Sequence, residues 1–197
     1  MSQNIIVFDI ETKDAFSDVG GRECFTNLEI SVLGAYDYAD GKFHTYEEKE
    51  LPSFAERLAE RPVLVGFNSR KFDTPILQKY IRFDLKDLKQ LDIMEEIVKE
   101  LGHRVSLDSV AKATLDEGKS GSGLEAIRLW REGRMEELKR YCLDDVRLTR
   151  DVYEYGAAHG ELLYVHKFGG GKARAKVSWK IENPQDESDT ARQQTLF

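Results

Sequence analysis

The segment 4–10 constrains this chain most. It is apolar at nearly every position, with Ile5-Ile6-Val7-Phe8 unbroken until Asp9. A strand that alternates apolar with polar residues covers one face of a sheet, whereas one apolar at successive positions must be covered on both. The chain therefore needs a sheet with helices on each side, and the rest of the sequence supplies the parts. Segments 29–38 and 42–47 read as strands joined by the hairpin signal Asp40-Gly41. A helix is expected over 51–60 and a short buried strand over 62–67. Thr74-Pro75 reads as a threonine cap followed by proline at the first helical position. A fifth strand over 88–93 runs into a helix over 94–101. Ser106 can cap a helix through Ala113, another helix follows the Gly121-Ser122-Gly123 loop over 124–131, and one long helix covers 134–158. The fold class is α/β: a mixed sheet flanked by helices.

Past Gly160 the pattern changes. Strands over 162–165 and 174–179 around Gly169-Gly170-Gly171 read as a small basic β-hairpin. The organisation is thus a main domain over 1–160, a hairpin extension over 161–181 and a flexible acidic tail over 182–197. No segment approaches the ~20 apolar residues of a membrane span. No secretory signal pattern is visible, and two cysteines, Cys24 and Cys142, make no disulfide framework or zinc site. A cytoplasmic protein with no membrane partner is the expectation.

Charge sharpens the question of partners. The chain carries a net −7, yet residues 162–181 hold Lys167, Lys172, Arg174, Lys176 and Lys180 and no acid. Residues 1–161 carry −9. Such a body binds polyanions poorly, because nucleic-acid affinity leans on phosphate neutralisation, unless some of its carboxylates gather where cations mask them.

Four acidic residues at three places in the chain fit that second case. Asp9 and Glu11, at i and i+2 of a strand, share one face at the end of a buried segment. Asp145 lies on the apolar stripe of the long helix with Leu138, Tyr141, Leu148 and Val152, whereas the adjacent Asp144 lies on a polar face. A carboxylate on such a stripe needs a partner, structural or ionic. Asp73 follows a buried strand at a helix entrance, where a carboxylate is favoured in any case. Two carboxylates ~4 Å apart repel by about 4 kcal/mol at an effective dielectric of ~20, so a cluster needs compensation. Oxygen ligands without His or Cys select hard cations, Mg²⁺ or Mn²⁺. Asp92, which ends a strand, is either a fifth such carboxylate or, as the better reading, the cap of the following helix. Cys142 reads as packing and the four histidines have no ligand spacing.

Phe8-Asp9-Ile10-Glu11-Thr12, then Asn68 with Phe72-Asp73, then Tyr141-x-x-x-Asp145 resemble the three motifs of the ribonuclease H-like 3′–5′ exonucleases of the DEDD type. The similarity is closest to the group containing the proofreading domains of family B DNA polymerases, and covers residues 4–155. The tyrosine four residues before the last aspartate matches the tyrosine branch; the histidine branch has histidine where this chain has Arg140. The resemblance implies that Asp9, Glu11 and Asp145 ligate one metal, that Asp9 bridges to a second, and that Asp73 reaches the pair directly or through water. It implies that Tyr141 holds the attacking water, and that Thr12, Asn68 and Phe72 contact the 3′-terminal nucleotide. The expected reaction is two-metal hydrolysis of single-stranded 3′ ends of DNA to nucleoside 5′-monophosphates. An exoribonuclease and an inactive end-binding module are the alternatives.

Two further segments carry partner expectations. Lys172, Arg174 and Lys176 alternate along a strand with Trp179 nearby. That is either a phosphate-tracking face with a base-stacking aromatic or a solvated edge guarded by cations. The last five residues, Gln193-Gln194-Thr195-Leu196-Phe197, resemble the Gln-x-x-Leu-Phe peptide by which bacterial polymerases and repair proteins bind the sliding clamp. Leu196 and Phe197 would fill an apolar pocket, and Gln193 would supply amide hydrogen bonds.

Overall fold

A computed structural model of the chain describes residues 4–118, 121–166 and 170–179. Five strands, β1 (Ile5–Thr12), β2 (Ile30–Asp37), β3 (Lys42–Glu47), β4 (Val63–Gly66) and β5 (Gln90–Asp92), form one sheet in the order β3-β2-β1-β4-β5. The β1–β2 and β2–β3 pairs are antiparallel, and the β1–β4 and β4–β5 pairs parallel. The mixed sheet expected from the sequence is the one the chain adopts.

Helices α1 (Leu51–Leu58), α2 (Asp73–Leu77), α3 (Ile93–Leu101), α4 (Leu107–Leu115), α5 (Gly123–Arg131) and α6 (Met135–His159) cover the two faces. Ile6, Phe8 and Ile10 point into a core with Leu51, Phe54 and Leu58 of α1 and Ile76 and Leu77 of α2. Ile5 and Val7 point the other way, into a core with Ile93 and Ile97 of α3, Val110 of α4 and Val146, Leu148 and Val152 of α6. The double burial demanded by the apolar run is therefore realised, one residue parity to each layer.

Three local readings are corrected. Thr74 does not cap α2: the helix begins at Asp73, and the Thr74 hydroxyl instead donates to Gln90 Oε1 at 3.2 Å, tying the helix to β5. The strand over 4–10 extends as β1 to Thr12, carrying Glu11 inside the sheet. Residues 16–19 and 22–27, for which no element is expected, form two short 3₁₀ turns joined by Gly20 and Gly21, both at positive φ. By contrast Ser106 caps α4 as expected, its Oγ accepting from the Ser109 N–H at 3.2 Å.

Strands β6 (Glu161–Val165) and β7 (Lys172–Lys176) pair antiparallel. Leu162, Tyr164, Ala175 and Val177 join the core beneath β1, so the hairpin shares that core. The edge of β6 that faces α4 is closed by two hydroxyls. Ser109 Oγ donates to Val165 O at 3.2 Å and accepts from Val165 N at 3.0 Å; Thr114 Oγ1 does the same with Leu163 at 2.9 and 3.0 Å. Trp179 lies inside: its Nε1 donates to Tyr153 O at 3.0 Å and its ring stacks on Tyr153 at 6.2 Å. A base-stacking role for Trp179 is thereby overturned, because its faces are spent on α6. No helix among the described residues is long and apolar enough to cross a membrane.

Candidate metal centre and nuclease crevice

β4 pairs with β1 only as far as Val7↔Val65, whereas β1 continues to Thr12. From β1 the chain turns to β2 on one side, and from β4 it passes through α2 to β5 on the other. In open α/β sheets, a crevice at such a divergence, beyond the carboxyl ends of parallel strands, is where ligands bind. Here it opens where β1 turns from Val7 to Asp9 and Glu11.

The structure brings the expected residues around that crevice. Glu11 is 7%, Asp73 4% and Asp145 2% exposed. Asp73, first residue of α2, lies along the flank of β1 that β4 leaves open, its Oδ1 accepting from the Ile10 N–H at 3.1 Å. α6 crosses the same region, and its buried side contains Leu138, Tyr141, Cys142, Asp145 and Leu148. Its close approach depends on Gly34, which faces Asp9 across the β1–β2 ladder. A Cβ at Gly34 would meet Cys142 Sγ at 2.9 Å and Val146 Cγ2 at 3.0 Å.

Electrostatics link the carboxylates to one another. Burial raises the Tyr141 phenol well above its usual range, and Asp145, Glu11 and Asp9, in that order, push it further. The Cys142 thiol is raised by burial and then by Asp9, Glu11 and Asp145. Three carboxylates from two distant segments thus act on the same two neutral groups. The Tyr141 hydroxyl is buried and has no hydrogen-bond partner among the described residues, which marks a place for a polar guest beside the acids.

Asp9, Glu11 and Cys142 bring ligand-type atoms within 4.8 Å of one another. Cys142 fits a ligand role badly: its thiol stays protonated beside the anions and donates to the Asp9 carbonyl at 3.7 Å. The donors that remain are carboxylate oxygens, a set suited to hard divalent cations.

The walls differ from one another. On one side Phe72 packs between Phe16, edge-on at 5.8 Å, and Phe25, stacked at 6.0 Å. On the other stand Ser122, Gly123 and Leu124 at the start of α5, the Leu124 side chain largely exposed. Between them lies an open pocket of about 370 Å³ with Glu11 and Thr12 at its base. The Thr12 hydroxyl donates to Asp14 O at 2.9 Å. Gly121 lies against the Tyr141 ring, where a Cβ would come to 3.1 Å of Cε2.

Asn68 takes a left-handed backbone (φ 67°) after β4. Its N–H donates to Asp92 Oδ1 at 2.8 Å, and its own Oδ1 accepts from Arg104 at 2.6 Å. Asp92 also accepts from Arg70 N at 3.0 Å, Met94 N at 3.0 Å and Glu95 N at 3.3 Å. It therefore caps α3, as the better sequence reading holds, and fastens the 68–70 turn besides. Lys172, Arg174 and Lys176 point to solvent along β7, apart from the crevice; Lys172 pairs with Asp116 at 2.9 Å and Arg174 with Glu161 at 3.6 Å. Gln193, Leu196 and Phe197 lie outside the described residues. The sequence reading missed Gly34, Leu124 and Arg104. No local pattern marks them, since each matters only through a neighbour far away in the chain.

Compared with known proteins, residues 6–156 match the family model of the RNase_H superfamily. No curated protein matches the chain.

Proposed function

From the premise that the chain belongs to the RNase H superfamily, a family of nucleases, we propose that it is a metal-dependent 3′–5′ exonuclease. It would release nucleoside 5′-monophosphates from the 3′ ends of single-stranded DNA. One observation carries this reading: Asp9, Glu11 and Asp145 all bear on the Tyr141 hydroxyl, buried and with no hydrogen-bond partner among the described residues, while Asp73 docks on the Ile10 N–H between the first two. Two Mg²⁺ or Mn²⁺ ions would be held by Asp9, Glu11, Asp73 and Asp145. When bound, they supply an activated water and charge stabilisation for the leaving 3′-oxygen.

The remaining roles belong to the chain's own side chains. Tyr141, kept neutral, orients a water through its hydroxyl rather than deprotonating it, because a phenol raised above its usual range is a poor base at neutral pH. Phe72 and Leu124 offer apolar surfaces on opposite walls for the terminal base, and Thr12 lies at the floor beside Glu11. Asn68, its side chain set by Arg104, presents its amide to the terminal nucleotide. The final Gln-x-x-Leu-Phe peptide, through Gln193, Leu196 and Phe197, supports recruitment by a sliding clamp and hence DNA rather than RNA as substrate.

The test is a 5′-labelled single-stranded oligonucleotide, as DNA and as RNA, incubated with Mn²⁺. The expected outcome is a ladder shortened from the 3′ end, absent in Asp9→Ala and stronger on DNA. Equal degradation by wild type and Asp9→Ala would discard the assignment.

A further inference from the structure

We infer that a groove between α2 and the outer flank of β5 receives the phosphate backbone of the strand whose 3′ end lies in the crevice. The inference deepens the exonuclease reading and rests on it for where that end lies.

The groove has a volume of about 720 Å³, and its lining includes Thr74, which follows Asp73 on α2, and Arg70 of the turn after β4. It continues past Gln90 to Arg82, half-buried Phe83 and Lys86. Its amides are satisfied internally. Gln78 bonds Ile81 O, Phe83 O and Leu85 N, and Gln90 bonds Leu85 O and Thr74 Oγ1. The walls are therefore fixed, and the charged groups that line them are Arg70, Arg82 and Lys86 against the one acid Asp84.

Charge is what suits the groove to a polyanion. On a body of net −9, Arg57, Arg128, Arg131, Arg134 and Arg147 are all held by carboxylates of the same chain. Arg82 and Lys86 are exposed and have no side-chain partner among the described residues. Two acids are close by. Asp84 lines the groove but its Oδ1 is occupied by the Lys86 N–H at 2.9 Å, and Glu95 reaches Arg70 only at 3.5 Å. Arg104, bonded to neutral Asn68 Oδ1, adds a further cation next to the 68–70 turn. Cations left unneutralised along one groove match a chain of phosphates. A single strand suits the geometry, since its terminus must reach carboxylates buried in a crevice.

The experiment measures fluorescence anisotropy of labelled oligothymidylates, a decamer and a trimer, in Ca²⁺ to suppress cleavage. Arg82→Ala/Lys86→Ala should weaken decamer binding ~10-fold and flatten its salt slope by ~1.4, about 0.7 for each lost phosphate contact. The trimer, too short to fill crevice and groove, should change less than twofold. Unchanged decamer affinity, or an equal loss for both lengths, overturns the groove; so does a wild-type protein that binds no decamer. Because no cleavage is needed, a protein that binds in this way yet degrades nothing would lose the exonuclease reading and keep the groove.

Discussion

The two faces of β1 start alike and end differently. The even positions, Ile6, Phe8 and Ile10, stay in an apolar core to the end of the run, whereas the odd face passes from Ile5 and Val7 to Asp9 and Glu11. Backbone conformation and strand register are shared, so the contrast isolates what side-chain chemistry alone does. The even face is stability: it seats α1 and α2. The odd face stops contributing apolar burial where β4 ends, and the space so released is lined by carboxylates. A hydrophobic layer that ends early, at a point where the sheet also loses a strand, is how this fold makes room for a reaction.

Truncating the even face should do the most damage. Phe8→Ala, at a fully buried position, should cost about 3–5 kcal/mol in chemical denaturation, a large part of a typical domain's stability. If the faces divide labour as argued, the odd face answers oppositely. Asp145→Asn should lower the rate of the proposed exonucleolytic cleavage on the order of 10³-fold, about 4 kcal/mol of transition-state stabilisation. In metal-free buffer its melting midpoint should hold or rise, by roughly 2–4 °C if one like charge was costing 1 kcal/mol. A midpoint that falls by as much as in Phe8→Ala would erase the distinction between the faces.

Smaller effects sharpen it. Tyr141→Phe should slow single-turnover cleavage by about 10–100-fold. Folding raises the phenol's pKa, so the fold favours its neutral form; that contribution is complete below an unfolded pKa of about 10 and is lost as the pH rises beyond it. The wild-type to Tyr141→Phe rate ratio should therefore be flat from about pH 7 to 9.5, and a ratio that changes steeply there would mean that the phenol titrates. The smallest effect belongs to Cys142. Its replacement by Ala should cost about 1–2 kcal/mol of stability and leave the Mn²⁺ dependence of cleavage in place, whereas a ligand would shift it.

The sheet was legible because its signals are local: an apolar run, a hairpin dipeptide, a 3.6-residue stripe. The acids of the crevice were legible for the opposite reason, since Asp145 on an apolar stripe and Asp9 closing an apolar run break those same patterns. What escaped depends on partners far along the chain. Gly34 looks like any strand glycine until the β1–β2 register sets it against Asp9 and under α6. Trp179 reads as a free aromatic until it is seen stacked on Tyr153, and Thr74-Pro75 reads as a helix start until Asp73 takes the first position.

The hydroxyls of Ser109 and Thr114 give the hairpin a border made of helix rather than strand. Two small side chains do the duty of a third ribbon. Replacing both with alanine would bare two amides and two carbonyls on β6, a template for edge-to-edge polymerisation. Monodispersity would then depend on a pair of oxygen atoms.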